Sequence, residues 1–357
     1  MVVTIDDWEP LAKERLPQMV FEYLSGGAGD EITLRENRAG FDRIRLRPSM
    51  LVDVSQIDTT TTLFGQKLKL PVLLAPVAYQ KMVHPEGELE SVRGANAAGV
   101  TFVASTAASV AVEDIAQVAT IPPWFQLYAS TDRLFTKALV DRARESGCPV
   151  LCFTVDAPVR GQRDRDTRNS FCLPPGLTRP NFRDLTPEAA TGNPRAEGRS
   201  IYSPNLCPSL TWDYLDWLRS VAKMPVLLKG ILTAEDAKRA IDAGVDGVVV
   251  SNHGGRVVDT VVSGIEALPE IVEAVAGRGL VLLDGGVRRG VDVLKAIALG
   301  ASAVMIGRPY LYALAANGAE GIRQCVDTLH REIEMAMAAC GRPTITSINR
   351  SLVKTIG

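Results

Sequence analysis

Eight short apolar runs, each closed by glycine or polar residues, recur between Leu70 and Arg308. They read "LPVLLAPVA" (70–78), "VTFVAST" (100–106), "PPWFQLY" (122–128) and "CPVLCFTVD" (148–156), then "MPVLLKGI" (224–231), "VDGVVVSN" (245–252), "GLVLLDGG" (279–286) and "ASAVMIGR" (301–308). Their apolar character is continuous rather than alternating, which is the mark of parallel strands covered on both faces. Between them lie stretches of helical period: "GELESVRGANAAG", "RLFTKALVDRARESG", "TAEDAKRAIDAG" and "GVDVLKAIALG", each ending in a glycine suited to a C-cap. Eight strands alternating with helices predict an α/β fold of the (β/α)8 TIM-barrel class. An open doubly wound sheet is the alternative, but it has no use for eight such units. No GxGxxG follows the first run either.

Two pieces fall outside the repeat. Residues 1–60, including "MVFEYLSGGAGDE", predict an N-terminal helical cap over the barrel, within one domain spanning 1–357. The connection after the fourth strand is far longer than a loop and helix need. Its polar, Pro- and Gly-rich middle, about 174–210, predicts a mobile lid.

Composition excludes several classes. Lys and Arg number 39 against 41 Asp and Glu, a formal charge of −2, which is wrong for a nucleic-acid binder. The six cysteines form no CxxC pair, so reduced, mostly buried thiols are expected and zinc is not. The N-terminus lacks the apolar stretch of a signal peptide, and no segment approaches the ~18 apolar residues of a membrane span. A cytoplasmic protein is the expectation.

A barrel of this class carries its site at the C-terminal strand ends. Those ends hold Ala78, Ser105, Gln126 and Tyr128, Thr154 and Asp156, Lys229, then Ser251, His253 and Arg256, then Asp284, Gly286 and Arg288, then Gly307 and Arg308. Polar groups close seven of the eight strands, which predicts one site rather than scattered surface polarity. "DGGVRRG" and "IGRP" place glycines and arginines after strands seven and eight, where backbone N–H groups and helix N-termini bind phosphate. For Arg288 and Arg308 the plain alternative is a surface salt bridge. One phosphate site beside a ring of amide and hydroxyl groups suits FMN better than NAD. Lys229 fits either a reduced flavin, whose negative charge it would stabilise, or a Schiff-base lyase. His253 finds a partner in Asp156, while Arg163 and Arg256 can grip one carboxylate with planar forks of donors. Tyr23 and Tyr128 add hydroxyls; His84 and His330 read as structural.

At these residues the sequence resembles the FMN-dependent α-hydroxy-acid oxidase and dehydrogenase family, which includes glycolate, lactate and hydroxymandelate oxidases. The likeness runs through "LPQMVFEYLSGGAGDE", "HPEGE", "WFQLY", "TVDAP", "LLKGI", "SNHGGR", "LDGGVRRG" and "IGRP". It implies FMN contacts from Pro76, Val77, Ala78, Ser105, Gln126, Thr154, Lys229, Ser251, Asp284, Gly286, Arg288, Gly307 and Arg308. It implies His253 as base, with Asp156 and Tyr128 beside it, and Tyr23, Tyr128, Arg163 and Arg256 as substrate-binding groups. A homo-oligomer, specifically a tetramer, is implied as well.

Four departures bear on the substrate. "HGGR" is followed by "VVD" in place of "QLD", retaining Asp259 but losing a polar residue. Ala107 stands where glycolate oxidases have tryptophan, Arg160 where they have leucine, and Tyr79 where they have methionine. The expected reaction is oxidation of an (S)-2-hydroxy acid to the 2-keto acid, with O2 as acceptor and H2O2 as product. Removing bulk at Ala107 predicts a substrate larger than glycolate, such as lactate, a mandelate-type acid or a longer one. Arg160 either extends its head into solvent or faces the distal end of the substrate. A dehydrogenase serving a quinone or cytochrome would share every residue named, and a non-catalytic flavin-binding barrel would share the cofactor site.

Overall fold

The computed structural model describes residues 1–184 and 206–356. Each apolar run contains one strand: β1 (Val72–Leu74), β2 (Val103–Ser105), β3 (Trp124–Leu127), β4 (Leu151–Thr154), β5 (Val226–Ile231), β6 (Gly247–Val250), β7 (Leu280–Asp284) and β8 (Ala303–Ile306). They pair in parallel in the order β1-β8-β7-β6-β5-β4-β3-β2. The ring closes through a parallel bridge from Leu74 to Phe102, where the Leu74 N–H donates to Thr101 O at 2.9 Å. The strands are shorter than the runs because the polar residues ending most runs leave the ladder at the mouth.

The unbroken apolar character has a direct cause. Leu73, Val103, Trp124, Val150, Cys152, Leu227, Val249, Leu282, Ala303 and Met305 fill the barrel interior as one cluster. Their strand neighbours Val72, Leu74, Phe125, Leu151, Leu228, Val248, Leu283 and Val304 pack outward under the helices. Successive side chains point to opposite faces, and both faces are dry along the strand bodies, so polar residues such as Ser105, Gln126, Thr154, Lys229 and Asp284 are confined to the mouth end. The four periodic stretches form helices Glu88–Ala98, Arg133–Glu145, Ala234–Asp242 and Gly290–Ala298. Thr233 caps the third of these, its hydroxyl accepting from the Asp236 N–H at 3.2 Å.

A feature absent from the sequence reading plugs the barrel floor. Strands Thr61–Leu63 and Gln66–Leu68 form an antiparallel hairpin whose Leu63 and Leu68 join the interior cluster. The Trp124 indole N–H donates to Gln66 Oε1 at 2.9 Å, which pins that hairpin.

The opposite end carries the N-terminal helices Trp8–Arg15, Gln18–Ser25 and Ile32–Asp42. Asp259 holds the last of them from the barrel side, accepting from the Ile32 and Thr33 N–H groups at 3.2 and 2.8 Å. Asn37 and Asn252 exchange reciprocal amide bonds of 2.9 and 2.7 Å beneath it. Strand Ile44–Leu46 pairs with Val353–Thr355, so the two ends of the chain brace each other.

The start of the expected lid is packed rather than loose. Asn181 is fully buried, accepts from the Val112 N–H at 3.0 Å and donates to Ser105 O and Thr106 O at 3.3 and 3.2 Å. Phe182 stacks on Phe135 with 6.0 Å between ring centroids. Residues 185–205 of the expected lid lie outside the described residues. No described helix is long and apolar enough to cross a membrane.

Candidate active site

The C-terminal strand ends open into a cavity of about 290 Å³. Tyr23 reaches it from helix Gln18–Ser25; Pro76, Val77, Ala78 and Tyr79 follow β1; Ser105 and Ala107 close β2; Gln126 and Tyr128 close β3. Thr154, Arg160 and Arg163 come from β4 and its loop, and Lys229 from β5. His253 and Arg256 follow β6; Asp284, Gly286 and Arg288 follow β7; Gly307 and Arg308 follow β8. Two expected contacts sit one layer behind this wall. Asp156 lies beneath His253, and Ser251 spends its hydroxyl accepting from Lys229 Nζ at 2.8 Å and from the His253 N–H at 3.0 Å. Ser251 thereby fixes two residues that line the cavity, and its O–H remains a donor.

His253 sits at φ +59°, a left-handed turn that aims its ring inward. Its Nδ1 lies 2.8 Å from Asp156 Oδ1, and its Nε2 lies 3.1 Å from Tyr128 Oη. Burial pushes the Asp156 carboxyl up, but the His253 and Lys229 charges and the hydrogen bond from His253 outweigh it, leaving the group below its ordinary value. An ionised carboxylate only accepts, so Nδ1 carries the proton and Nε2 is the nitrogen free to receive one. Burial, then the Asp156 charge, pushes the Tyr128 hydroxyl well up, so it stays a donor. The room for Asp156 is made by Gly230, where a Cβ would lie 2.4 Å from Asp156 Cβ.

Lys229 Nζ is 3.0 Å from Asp284 Oδ2. Burial lowers the Lys229 ammonium, but Asp284 and Asp156 more than reverse this and hold it well above its ordinary value. A lysine so firmly protonated is a poor amine nucleophile, which removes the physical basis for a Schiff-base lyase.

Arg163 and Arg256 both lie over the Tyr23 ring, at 5.8 and 4.9 Å from its centroid. Arg163 is tied to Asp166 through Nε at 2.6 Å, whereas Arg256 commits Nη1 to the Tyr23 and Gly26 carbonyls. Burial, and then the like charge of Arg163, pulls the Arg256 guanidinium down to about 10. A second cationic spot lies at β7 and β8. Burial, with Arg288 nearby, lowers Arg308 as well. Arg308 staples the cap to the mouth by donating to Leu24, Gly26 and Gly254 carbonyls at 2.9–3.0 Å, and Arg288 pairs with Asp6 at 3.0 Å. The salt-bridge alternative for Arg288 thus holds alongside its place in the wall.

These features fit a bound phosphate ester with a polyhydroxyl chain. Asp284 Oδ1 is buried with no partner among the described residues, an acceptor that a sugar-alcohol hydroxyl satisfies. A Cβ on Gly307 would meet only Ala75 and Val77 atoms, both at 3.9 Å, so bare backbone faces open space beside Arg308. Ser105, Gln126 and Thr154 form a hydrogen-bonded file along β2, β3 and β4, at 3.1 and 2.9 Å, on which a polar heterocycle can rest.

The sequence reading missed Phe171, Arg179 and Phe182, which also line the cavity. They lie in "FCLPPGLTRPNF", where proline and polar residues masked the apolar signal at Phe171, Leu177 and Phe182.

A barrel with this mouth defines a flavin-dependent enzyme of the (β/α)8 class. Residues 12–355 match the FMN-dependent dehydrogenase family, and the chain belongs to it. It is 49% identical to an L-lactate oxidase of Nostoc sp., covering 98% of each chain. It is 44% identical to glycolate oxidase 3 of Arabidopsis thaliana, over 99% of this chain and 96% of that one. The crystal structure of a mandelate oxidase with (S)-2-phenylpropionate superposes with a TM-score of 0.90 at 44% identity, covering 100% of this chain and 99% of the other. FMN is accordingly the cofactor.

Proposed function

We propose that the protein oxidises an (S)-2-hydroxy acid to the 2-keto acid, with O2 as the final acceptor and H2O2 as the second product. The observation that carries this is His253, held between Asp156 and Tyr128 on a cavity wall that also presents Arg163 and Arg256. Bound FMN supplies the two-electron acceptor. Pro76, Val77, Ala78, Ser105, Gln126, Thr154, Lys229, Ser251, Asp284, Gly286, Arg288, Gly307 and Arg308 are the residues available to hold it.

Arg163 and Arg256 take the substrate carboxylate, which relieves the repulsion that lowers Arg256. Tyr23 and Tyr128 orient the substrate through their hydroxyls. Nε2 of His253 receives a proton from the substrate, and Asp156 stabilises the imidazolium that results. Ala107 removes bulk from the cavity and Tyr79 offers a packing or hydrogen-bonding wall, which favours lactate, mandelate-type or longer acids over glycolate. The whole chain acts as one domain. The family resemblance supports a homotetramer, and six free thiols fit a reducing compartment such as the cytoplasm.

The test is an anaerobic screen of 2-hydroxy acids against the yellow holoenzyme. Loss of the flavin colour with at least one (S)-2-hydroxy acid, and its return with H2O2 on admitting O2, is the expected result. A flavin that no hydroxy acid bleaches would refute the reading.

A further inference from the structure

We infer that Glu88 is a positioning residue for substrate choice: its buried carboxyl clamps the loop after β1 to the loop after β2 and so fixes Tyr79 and Ala107 in the cavity wall. This rests on the oxidase reading above, in which those two residues meet the side chain of the acid.

Glu88 opens the helix Glu88–Ala98 and is fully buried. A carboxyl taken out of water has to be hydrogen-bonded. Its Oε1 accepts from the Gln80 N–H at 3.1 Å and the Ser109 N–H at 2.9 Å, and its Oε2 from the Ser109 hydroxyl at 2.6 Å. Gln80 directly follows Tyr79, and Ser109 stands two positions after Ala107. Backbone N–H groups only donate, so Oε1 is an acceptor whichever protonation state the carboxyl holds. Burial raises the Glu88 carboxyl, and the donors of Ser109 and Gln80 work against that rise.

The seam that Glu88 closes needs holding. Tyr79 has φ +61°, a left-handed conformation that a residue with a side chain keeps only where its surroundings fix it. Three successive N–H groups do the fixing: Tyr79 donates to Ala107 O at 3.2 Å, Gln80 to Glu88 Oε1 at 3.1 Å, and Lys81 to Ser109 Oγ at 2.9 Å. Glu88 supplies the middle acceptor and, by binding Ser109, orients the third. Removing the carboxyl would leave the Gln80 N–H, the Ser109 N–H and the Ser109 hydroxyl without this acceptor, one loss on the first loop and two on the second. The Gln80 side chain carries the same frame toward the flavin side. Its Nε2 donates to Val77 O at 3.2 Å and to Tyr310 Oη at 3.0 Å, and Tyr310 Oη donates to Ala75 O at 2.9 Å. Ala75 and Val77 both line the cavity.

Gly87 makes the approach possible. It has φ +52°, and a Cβ there would lie 2.7 Å from Lys81 Cγ and 2.9 Å from Lys81 N, so a side chain before Glu88 would push the helix start off the seam. At the cavity end the Tyr79 ring lies 6.3 Å from the Tyr23 ring, over which Arg163 and Arg256 sit. A shift of the seam therefore reaches the wall beside the carboxylate grip, while His253 and Arg256 are carried by the loop after β6.

The test reads selectivity from binding. Acetate and phenylacetate lack the hydroxyl that is oxidised, share the carboxylate, and differ in bulk at the wall; each is titrated into the oxidised holoenzyme and followed by the shift of the flavin band. Glu88→Met should lower the ratio of phenylacetate to acetate affinity by about 10-fold, the scale of a methylene-sized change in pocket contact. Glu88→Gln keeps an acceptor at Oε1 and should hold the ratio within a few-fold of wild type. Should Glu88→Met not fold, Ser109→Ala, which removes the hydroxyl bonded to Oε2, carries the test with a smaller fall in the same ratio. General loosening of the protein would weaken both acids alike. A ratio that holds or rises in the variant that folds therefore overturns the inference, and so does a fall in Glu88→Gln as large as in Glu88→Met. These acids need no turnover: if no hydroxy acid bleaches the flavin, the oxidase reading fails and the binding ratio still decides the clamp.

Discussion

Replacing Gly230 with alanine tests how His253 is positioned. Gly230 holds φ +107°, and an added Cβ would lie 2.4, 2.6 and 2.8 Å from Asp156 Cβ, Cγ and Oδ2. Ordinary carbon contact begins near 3.5 Å, so the carboxylate must retreat by about 1 Å. The Asp156–His253 bond of 2.8 Å does not survive that movement. Stability falls from two sources, about 1–3 kcal/mol for an alanine at strongly positive φ and about 1–3 kcal/mol for overpacking. Activity falls further, since a 1 Å misplacement costs on the order of 10²-fold. Gly277→Ala is the matched control, because Gly277 also has positive φ, +71°, but its Cβ would meet nothing within 4 Å. Thermal melts should show both variants weakened, Gly230→Ala the more. Stopped-flow bleaching should be slowed about 10²-fold in Gly230→Ala alone, with FMN retained in both. Bleaching at the wild-type rate in Gly230→Ala would show that Asp156 does not act through its contact with His253.

His253→Ala should keep FMN and slow anaerobic bleaching by about 10²–10⁴-fold, the share of a positioned base; a rate within a few-fold of wild type would remove His253 from proton transfer. Asp156 lies below its ordinary 3.8 in the folded protein, so its stabilisation is present above that pH and is lost as pH falls through the lower folded value. Melting temperatures of the wild type should therefore drop more steeply below about pH 3.8 than those of Asp156→Asn, and parallel curves would contradict this.

The barrel was legible because one physical constraint, burial on both faces, writes itself into every strand as an unbroken apolar run. The mouth was legible for the complementary reason: polar residues that end such runs have one place to go. What escaped lacks that regularity. The floor hairpin is two three-residue strands whose importance lies in Leu63 and Leu68 reaching the interior cluster, a contact no local pattern announces. Arg179 escaped because its segment reads as loop, while Asn181 bonds it to β2 residues more than seventy positions away. The bonds that Ser251 accepts from Lys229 and His253 were likewise not legible, because strand-end position does not encode which neighbours a hydroxyl meets.

The arginines explain why the cap belongs at this end of the barrel. Arg256 and Arg308 are half-buried and stand beside Arg163 and Arg288, and desolvation with these like charges holds both below the ordinary guanidinium value. Such a cluster is unfavourable in the empty protein. Part of it is offset by carbonyls of the cap, since Arg256 donates to Tyr23 O and Gly26 O, and Arg308 to Leu24 O, Gly26 O and Gly254 O. Neutral carbonyls hydrogen-bond a cation without cancelling its charge, so the remaining field still draws a phosphate to one side and a carboxylate to the other. A ligand that binds only the folded state adds its binding free energy to stability, about 2.7 kcal/mol at a hundred times Kd. The same guanidiniums therefore fasten the cap that carries Tyr23 and face the mouth where anions would bind, so removing either one should weaken both cap docking and anion binding.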